Sequence, residues 1–408
     1  MAFANLGVVN EVNSKTGILI ILVAHTFMNF GFIARSVANS PITNEQIESA
    51  RLEGASDLKI RYWVELPQLR PQLAAASLLV ALYSATSFGL IRVLGNGFVE
   101  TLETEIAEAA LVRLDLDMAW QLASLQTLLT LLLFFMFRHL GAAPANLDES
   151  AHLRLRVTPI DKVIAVGSLA ITSVILLTIL FGALDGPGLL SNISHLASTG
   201  ERDLLNITVV NAALNSLRNA GIVVAIALPI AYLVARRHKE SGWVLLPIGI
   251  SPVVVGLATL ALSGYLPREL TSSWVLLPLV QLVFALPVAY QILRPALRNL
   301  DPGILDAAKL DGASNLQRIF SVELPQVRRS VGLAVAFAAM VSIGEFGTAS
   351  FLAFGENETL PIVLFRLLSR PGEENLGMAM TASALYILLA ACVIWFSIRA
   401  NRTEGLLR

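Results

Sequence analysis

Two short polar segments hold many of the residues in this chain whose types and spacing could do chemistry. Residues 47–70 read IESARLEGASDLKIRYWVELPQLR and residues 305–328 read LDAAKLDGASNLQRIFSVELPQVR, and they align without a gap, with 12 of 24 positions identical. Each offers a carboxylate (Glu48, Asp306), small residues behind it (Ser49 and Ala50; Ala307 and Ala308), a glycine (Gly54, Gly312) and a Leu-Pro pair (Leu66 and Pro67; Leu324 and Pro325). This pattern suits recognition: carboxylates can face basic groups on another protein, and glycine permits a turn with positive φ. Proline is expected to end the helix before it and start the next one cleanly. A plain amphipathic helix at the membrane surface would account for Ala50, Leu52, Ala55 and Leu58, and a solvated face would account for the charges. Neither explains two copies that keep glycine, Val-Glu-Leu-Pro and the spacing between them.

Elsewhere the reactive inventory is thin. No GxxxxGK[ST] loop occurs, so this polypeptide is not expected to cradle ATP, and HExxH, CxxC and GxSxG are also missing. The five histidines (25, 139, 152, 195 and 238) are scattered without ligand spacing, and the single Cys392 lies in an apolar run. Neither a catalytic residue nor a metal ligand is therefore assigned. Glu345, flanked by Val341, Ile343, Phe346 and Phe351, is costly in a membrane unless it faces a cavity or a partner. It either lines a route for a cation or holds a structural position near the outer end of its helix, capped or hydrated. His25 and Asn29 lie one helical turn apart and either face the same route or hydrogen-bond between helices. Ser84, Ser87, Ser342, Ser251, Gln281 and Tyr290 are further polar candidates for such a route.

The elements that must position these residues follow from composition. With 55% hydrophobic residues, 14% charged and a mean hydropathy of +0.69, the 408-residue chain is too apolar for a soluble globule. Its net charge of −1 argues against a nucleic-acid partner. Continuous Leu/Ala/Val/Ile runs predict an all-α polytopic membrane protein with nine spans, at about 17–35, 72–94, 119–138, 162–184, 208–234, 243–263, 274–294, 331–353 and 378–398. Pro229, Pro252 and Pro287 inside those runs predict kinks. If the first span exits into the cytoplasm, most of the 29 Lys and Arg collect on that side, together with both polar segments.

The same offset continues past the segments, matching Ser84, Phe88 and Gly89 to Ser342, Phe346 and Gly347, then Glu100-Thr101-Leu102 to Glu358-Thr359-Leu360. This predicts two homologous membrane halves. Residues 1–140 form a first half of three spans, 141–161 a cytoplasmic linker, 162–399 a second half of six spans, and 400–408 a cytoplasmic tail. The imbalance suggests a chain shortened at its amino end relative to a symmetric twelve-helix parent.

The spacing Glu-Ala-Ala, three residues, Gly, nine residues, Ile-x-Leu-Pro resembles the cytoplasmic signature of ABC importer permeases. Here it stands as Glu48-Ser49-Ala50, Gly54, Val64-Glu65-Leu66-Pro67 and as Asp306-Ala307-Ala308, Gly312, Val322-Glu323-Leu324-Pro325. Fusion of two halves in one chain resembles the ferric-iron and thiamine importers. The stretches ILVAHTFMNFGFIARS and VSIGEFGTASFLAFGENETLPIVLFRLLS look most like the thiamine branch. The resemblance implies that each segment is a coupling helix docking on a dimer of ATPase subunits in the membrane of a prokaryote. ATP and Mg would then sit on the partner, with no cofactor on this chain. It also implies an extracytoplasmic solute-binding protein, docking on the loops at 95–118, 185–207 and 354–377, and alternating access for a small cation. An ion-coupled secondary transporter and a non-transporting permease remnant are the competing readings.

Overall fold

The computed structural model describes residues 14–38, 44–95, 97–139, 159–184, 188–237, 242–271, 273–370 and 372–399. Among the described residues every regular element is helical, as hydrocarbon demands, because a helix satisfies each backbone N–H and C=O within itself. Among the described residues six helices are long and apolar enough to cross a membrane, and up to eight if each of two bent pairs counts as one span. The first expected span corresponds to helix Ser14–Ala38, within which Lys15–Gly31 is a shorter apolar stretch. Most of the expected linker and the whole tail lie outside the described residues.

Three expected spans are interrupted, and each break has a local cause. The 243–263 run divides into Trp243–Gly249 and Pro252–Ser263, which meet at 99°. Ser251 Oγ accepts from the Val253 and Val254 N–H groups, and Pro252 follows at the first helical position, so a helix start is written into the apolar run. The 72–94 run bends by 57° between Ala85 and Phe88. The 331–353 run ends at Gly344 and resumes at Gly347. These last two breaks fall within one residue of each other in the repeat alignment, so the duplication extends to helix ends as well as to sequence. Pro229 and Pro287 do not end their helices: Val209–Ala235 and Ser273–Arg298 continue as single α-helices through them.

The chain divides into two compact units. The unit containing 176–408 is built on helices Val209–Ala235, Ser273–Arg298 and Leu324–Gly344. Val223, Ala227, Ala285 and Ala338 form one buried cluster of that unit, and Ala220, Ala339 and Ile343 form another. Such small side chains let helix backbones approach closely. At the end of this unit that carries the 354–377 loop, Leu205, Ile207, Leu360, Val363, Leu367 and Met378 form a further core. In the unit containing 12–105 and 120–175, helix Ser14–Ala38 packs on helix Leu66–Ala85. There the buried Gln126 amide donates to the Ala85 carbonyl at 3.0 Å, satisfying an open helix end.

Candidate functional site

Each polar segment folds into the same local object. In the first, helix Asn44–Leu52 ends where Gly54 adopts φ +81°, and in the second, helix Pro302–Leu310 ends where Gly312 adopts φ +77°. The Ala55 N–H donates to the Ala50 carbonyl and the Gly54 N–H to the Arg51 carbonyl, at 3.0 and 2.9 Å. Ala313 N–H to Ala308 and Gly312 N–H to Lys309 repeat the pattern, both at 3.0 Å. This paired closure is the Schellman helix end. It explains the glycine of the motif physically: the turn that lets the following N–H reach the carbonyl five residues back requires positive φ at that position. The first carboxylate lies on the exposed face of the short helix in both copies. Asp306 pairs with Lys309 at 2.6 Å, and that ammonium holds the carboxyl below its ordinary value.

Beyond the glycine a second short helix leads into the span, and here the expected proline break is absent. Asp57–Ile60 runs through a π turn, Arg61–Glu65, directly into Leu66–Ala85. Asn315–Gln317 runs through the π turn Arg318–Glu323 into Leu324–Gly344. The Leu66 N–H reaches back to the Arg61 carbonyl, and the Leu324 N–H to the Ile319 carbonyl. A proline ring in an α-helix collides with the carbonyl four residues earlier, and the wider turn accommodates it without ending the helix. The second copy opens with a capping box between Ser314 and Gln317.

Matched apolar side chains stand out on these polar segments. Leu52 and Leu310 are 90% and 89% exposed, and Leu58 with Leu316 and Tyr62 with Phe320 are exposed in the same aligned pairs. Large apolar groups left exposed by the chain at equivalent positions of two copies suit contact with another protein or with the membrane surface.

The second Glu of the motif departs from the docking expectation in the second copy. Glu323 is 3% exposed and accepts from Tyr232 Oη at 2.8 Å, Arg236 Nε at 2.8 Å and Arg236 Nη2 at 2.6 Å. Its charge is engaged inside the chain and is not presented outward. Glu65, its counterpart, is half-buried. Sequence reasoning missed Tyr232 and Arg236 as part of the segment, because about ninety residues separate them from Glu323.

The route candidates are dispersed. Glu345 accepts from the Thr348 hydroxyl, from Thr348 N–H at 2.8 Å and from Ala349 N–H at 3.1 Å, so it caps helix Gly347–Leu352. Ser342 donates to the buried Gln281 at 2.7 Å, leaving Gln281 Nε2 without a partner, and both polar atoms of buried Asn219 also lack one. Asn219 precedes Val223 by one turn on the buried seam of its unit. In the other unit Asn29 donates to the His25 carbonyl at 2.8 Å, within its own helix, and half-buried Ser84 and Ser87 flank the 57° bend. Tyr290 is buried beneath the Arg294 guanidinium, and Ser251 serves as the cap already described. No cluster of His, Cys, Asp and Glu able to hold a metal occurs among the described residues.

Residues 168–402 match the model of a family described as binding-protein-dependent transport system inner membrane component. The chain is 27% identical to the thiamine transport system permease protein ThiP of Brucella suis over 412 residues, covering 96% of this chain and 74% of that protein. It is 26% identical to a probable ABC transporter permease protein, y4fN, of Sinorhizobium fredii, covering 84% of this chain and 65% of that protein. It is 29% identical to the molybdenum transport system permease protein ModB of Haemophilus influenzae, over 44% of this chain and 88% of that protein. The chain thus spans about two thirds to three quarters of its two longer relatives.

Proposed function

This chain belongs to the family of binding-protein-dependent transport system inner membrane components and is an ABC transporter permease subunit, and from that premise we propose that it serves an ATP-driven importer. Its two glycine-hinged segments dock on a dimer of ATPase subunits, and a solute-binding protein delivers the cargo at the opposite side of the membrane. The observation that carries this reading is the repeated helix end: a Schellman turn, an exposed leucine on either side of it, and an unbroken helical path into a span, made twice. The π turn keeps the helix continuous past its proline, so each segment joins its span without an intervening loop. ATP-driven closure of the partner dimer then alternates access to a route within the bundle.

The cargo proposed is a small cation, thiamine first and ferric iron second. Support for thiamine comes from the coverage of the thiamine permease relatives. Glu345 adds little to it, since both its oxygens are engaged by the helix it caps. The neutral polar groups of Ser342, Gln281 and Asn219 are better placed to hydrogen-bond a passing solute. The test is ATP hydrolysis by the complete complex in lipid nanodiscs, with binding protein loaded in turn with thiamine, ferric iron or molybdate. Stimulation by thiamine is expected. Stimulation by molybdate alone would overturn the cargo and leave the subunit class intact.

A further inference from the structure

The coupling segment at 302–323 is tied to the membrane by two connections. One is covalent, the helix continuing from Asn315 through the π turn Arg318–Glu323 into Leu324–Gly344. The other is the Glu323 carboxylate, buried and held by Tyr232 and Arg236 at the end of helix Val209–Ala235. The first connection is not regular α-helix throughout. The π turn replaces the i→i−4 bonds of the α-helix with wider i→i−5 bonds, so the α-helical ladder is interrupted at this point. The last residue of this turn is the one that is clamped. The fork of Arg236 fits a carboxylate in two places, which fixes direction as well as distance. Beyond the clamp the two helices stay in register along small residues, with Ala227 and Val223 sharing a cluster with Ala338, and Ala220 sharing one with Ala339 and Ile343.

We propose that Glu323, Arg236 and Tyr232 are positioning residues of transport: they bridge the π turn so that displacement of the coupling segment moves helices Val209–Ala235 and Leu324–Gly344 as one body. The clamp makes the motif's second acid an internal strut, a role separate from docking, and this inference rests on the importer reading above. Breaking the strut leaves the docking face of 302–317 unaltered, so ATP hydrolysis continues while the helices no longer follow it.

The experiment uses the complete complex in nanodiscs, with Glu323→Gln, Arg236→Met and Tyr232→Phe compared with the swapped pair Glu323→Arg with Arg236→Glu. Binding-protein-stimulated ATP hydrolysis is expected to stay within about two-fold of wild type in E323Q. Uptake of radiolabelled thiamine into proteoliposomes is expected to fall at least ten-fold, so that the solute moved per ATP collapses. Tyr232→Phe, which removes one of three hydrogen bonds, should give a smaller loss, and the swapped pair should recover part of it. Parallel loss of hydrolysis, uptake and complex yield, or no change in any of them, would overturn the proposal. A second measurement separates it from the importer reading. In a Cys392→Ser background, spin labels at Leu214 and Asp311 should keep one distance distribution with and without ATP in the wild type, and shift or broaden with ATP in E323Q. Identical behaviour of the two refutes the strut. A wild-type complex that hydrolyses ATP and moves none of the three solutes overturns the cargo alone, uptake that persists when ATP is depleted refutes the importer reading instead, and the label distances still decide the strut.

Discussion

At the scale of single residues, Gly54 and Gly312 separate backbone strain from crowding. A Cβ added at either would meet open space, yet both have positive φ. An alanine at Gly312 therefore costs about 1–2 kcal/mol through left-handed backbone alone, and asparagine costs less because it tolerates that region. The expected readout is faster hydrogen exchange at the Ala313 and Gly312 amides in Gly312→Ala than in Gly312→Asn. Equal rates would show that the turn does not depend on φ. Glu358 offers a pH test in the same unit, where it is fully buried against Asn206 at 2.6 Å and Arg366 at 2.8 Å. Desolvation pushes its carboxyl above the ordinary 4.5, outweighing the pull of Asn206 and Arg366. A carboxyl raised by folding binds more protons in the folded state, so its contribution to stability grows as pH falls through the folded value and is complete below the unfolded one. Relative to Glu358→Gln, the wild type should gain thermal stability on acidification from neutral pH toward about 4.5. A difference curve of opposite slope would refute this. The glycines were legible in the sequence because their spacing repeats. Glu358 was legible only as a matched position, since its burial depends on Asn206 and Arg366, one of them about 150 residues away.

At the scale of elements, the broken spans show what hydropathy hides. The runs 243–263 and 331–353 read as uninterrupted apolar helices, but Ser251-Pro252 and Glu345 install helix starts inside them by capping backbone N–H groups. A window of hydropathy averages over a single polar residue, whereas a cap acts through that residue alone. The restarted helices then pack closely, which explains glycines that the charge of Glu345 had overshadowed. A Cβ on Gly347 would lie 2.9 Å from Pro252 Cβ and 3.2 Å from the Val253 nitrogen. A Cβ on Gly256 would lie 3.1 Å from Thr348 Cα and 3.0 Å from the Phe351 ring. Backbone atoms cannot step aside as a flexible side chain can, so alanine at either site should destabilise by about 1–3 kcal/mol. The two costs should also be non-additive, because both force apart the same pair, Pro252–Ser263 and Gly347–Leu352. Thermal unfolding of the two single variants and the double variant checks this, and strict additivity would place the strain elsewhere. The π turns follow the same lesson: Pro67 and Pro325 signalled an ending, and the structure instead widens one turn and continues.

At the scale of the whole molecule, the proposed docking is a two-point attachment, because the segment occurs twice in one chain. The repeat itself was legible because the two copies align without a gap at 12 of 24 identical positions. The internal tie of Glu323 was not legible, because it joins elements whose nearness is a product of folding. Docking can be tested through residues that hold nothing within the chain. Leu52 and Leu310 are almost fully exposed, so replacing either with aspartate should leave the melting temperature of the isolated chain unchanged. Burying one leucine in an interface contributes about 1.5–3 kcal/mol, so each single variant should bind its ATPase subunit roughly ten- to a hundred-fold more weakly at that point. Because the second attachment acts at high effective concentration once the first is made, single variants should still co-purify with the ATPase. The double variant Leu52→Asp with Leu310→Asp should lose it. Retention of the ATPase by the double variant, with an unchanged melting temperature, would remove these leucines from the interface and with them the surface that the two segments share.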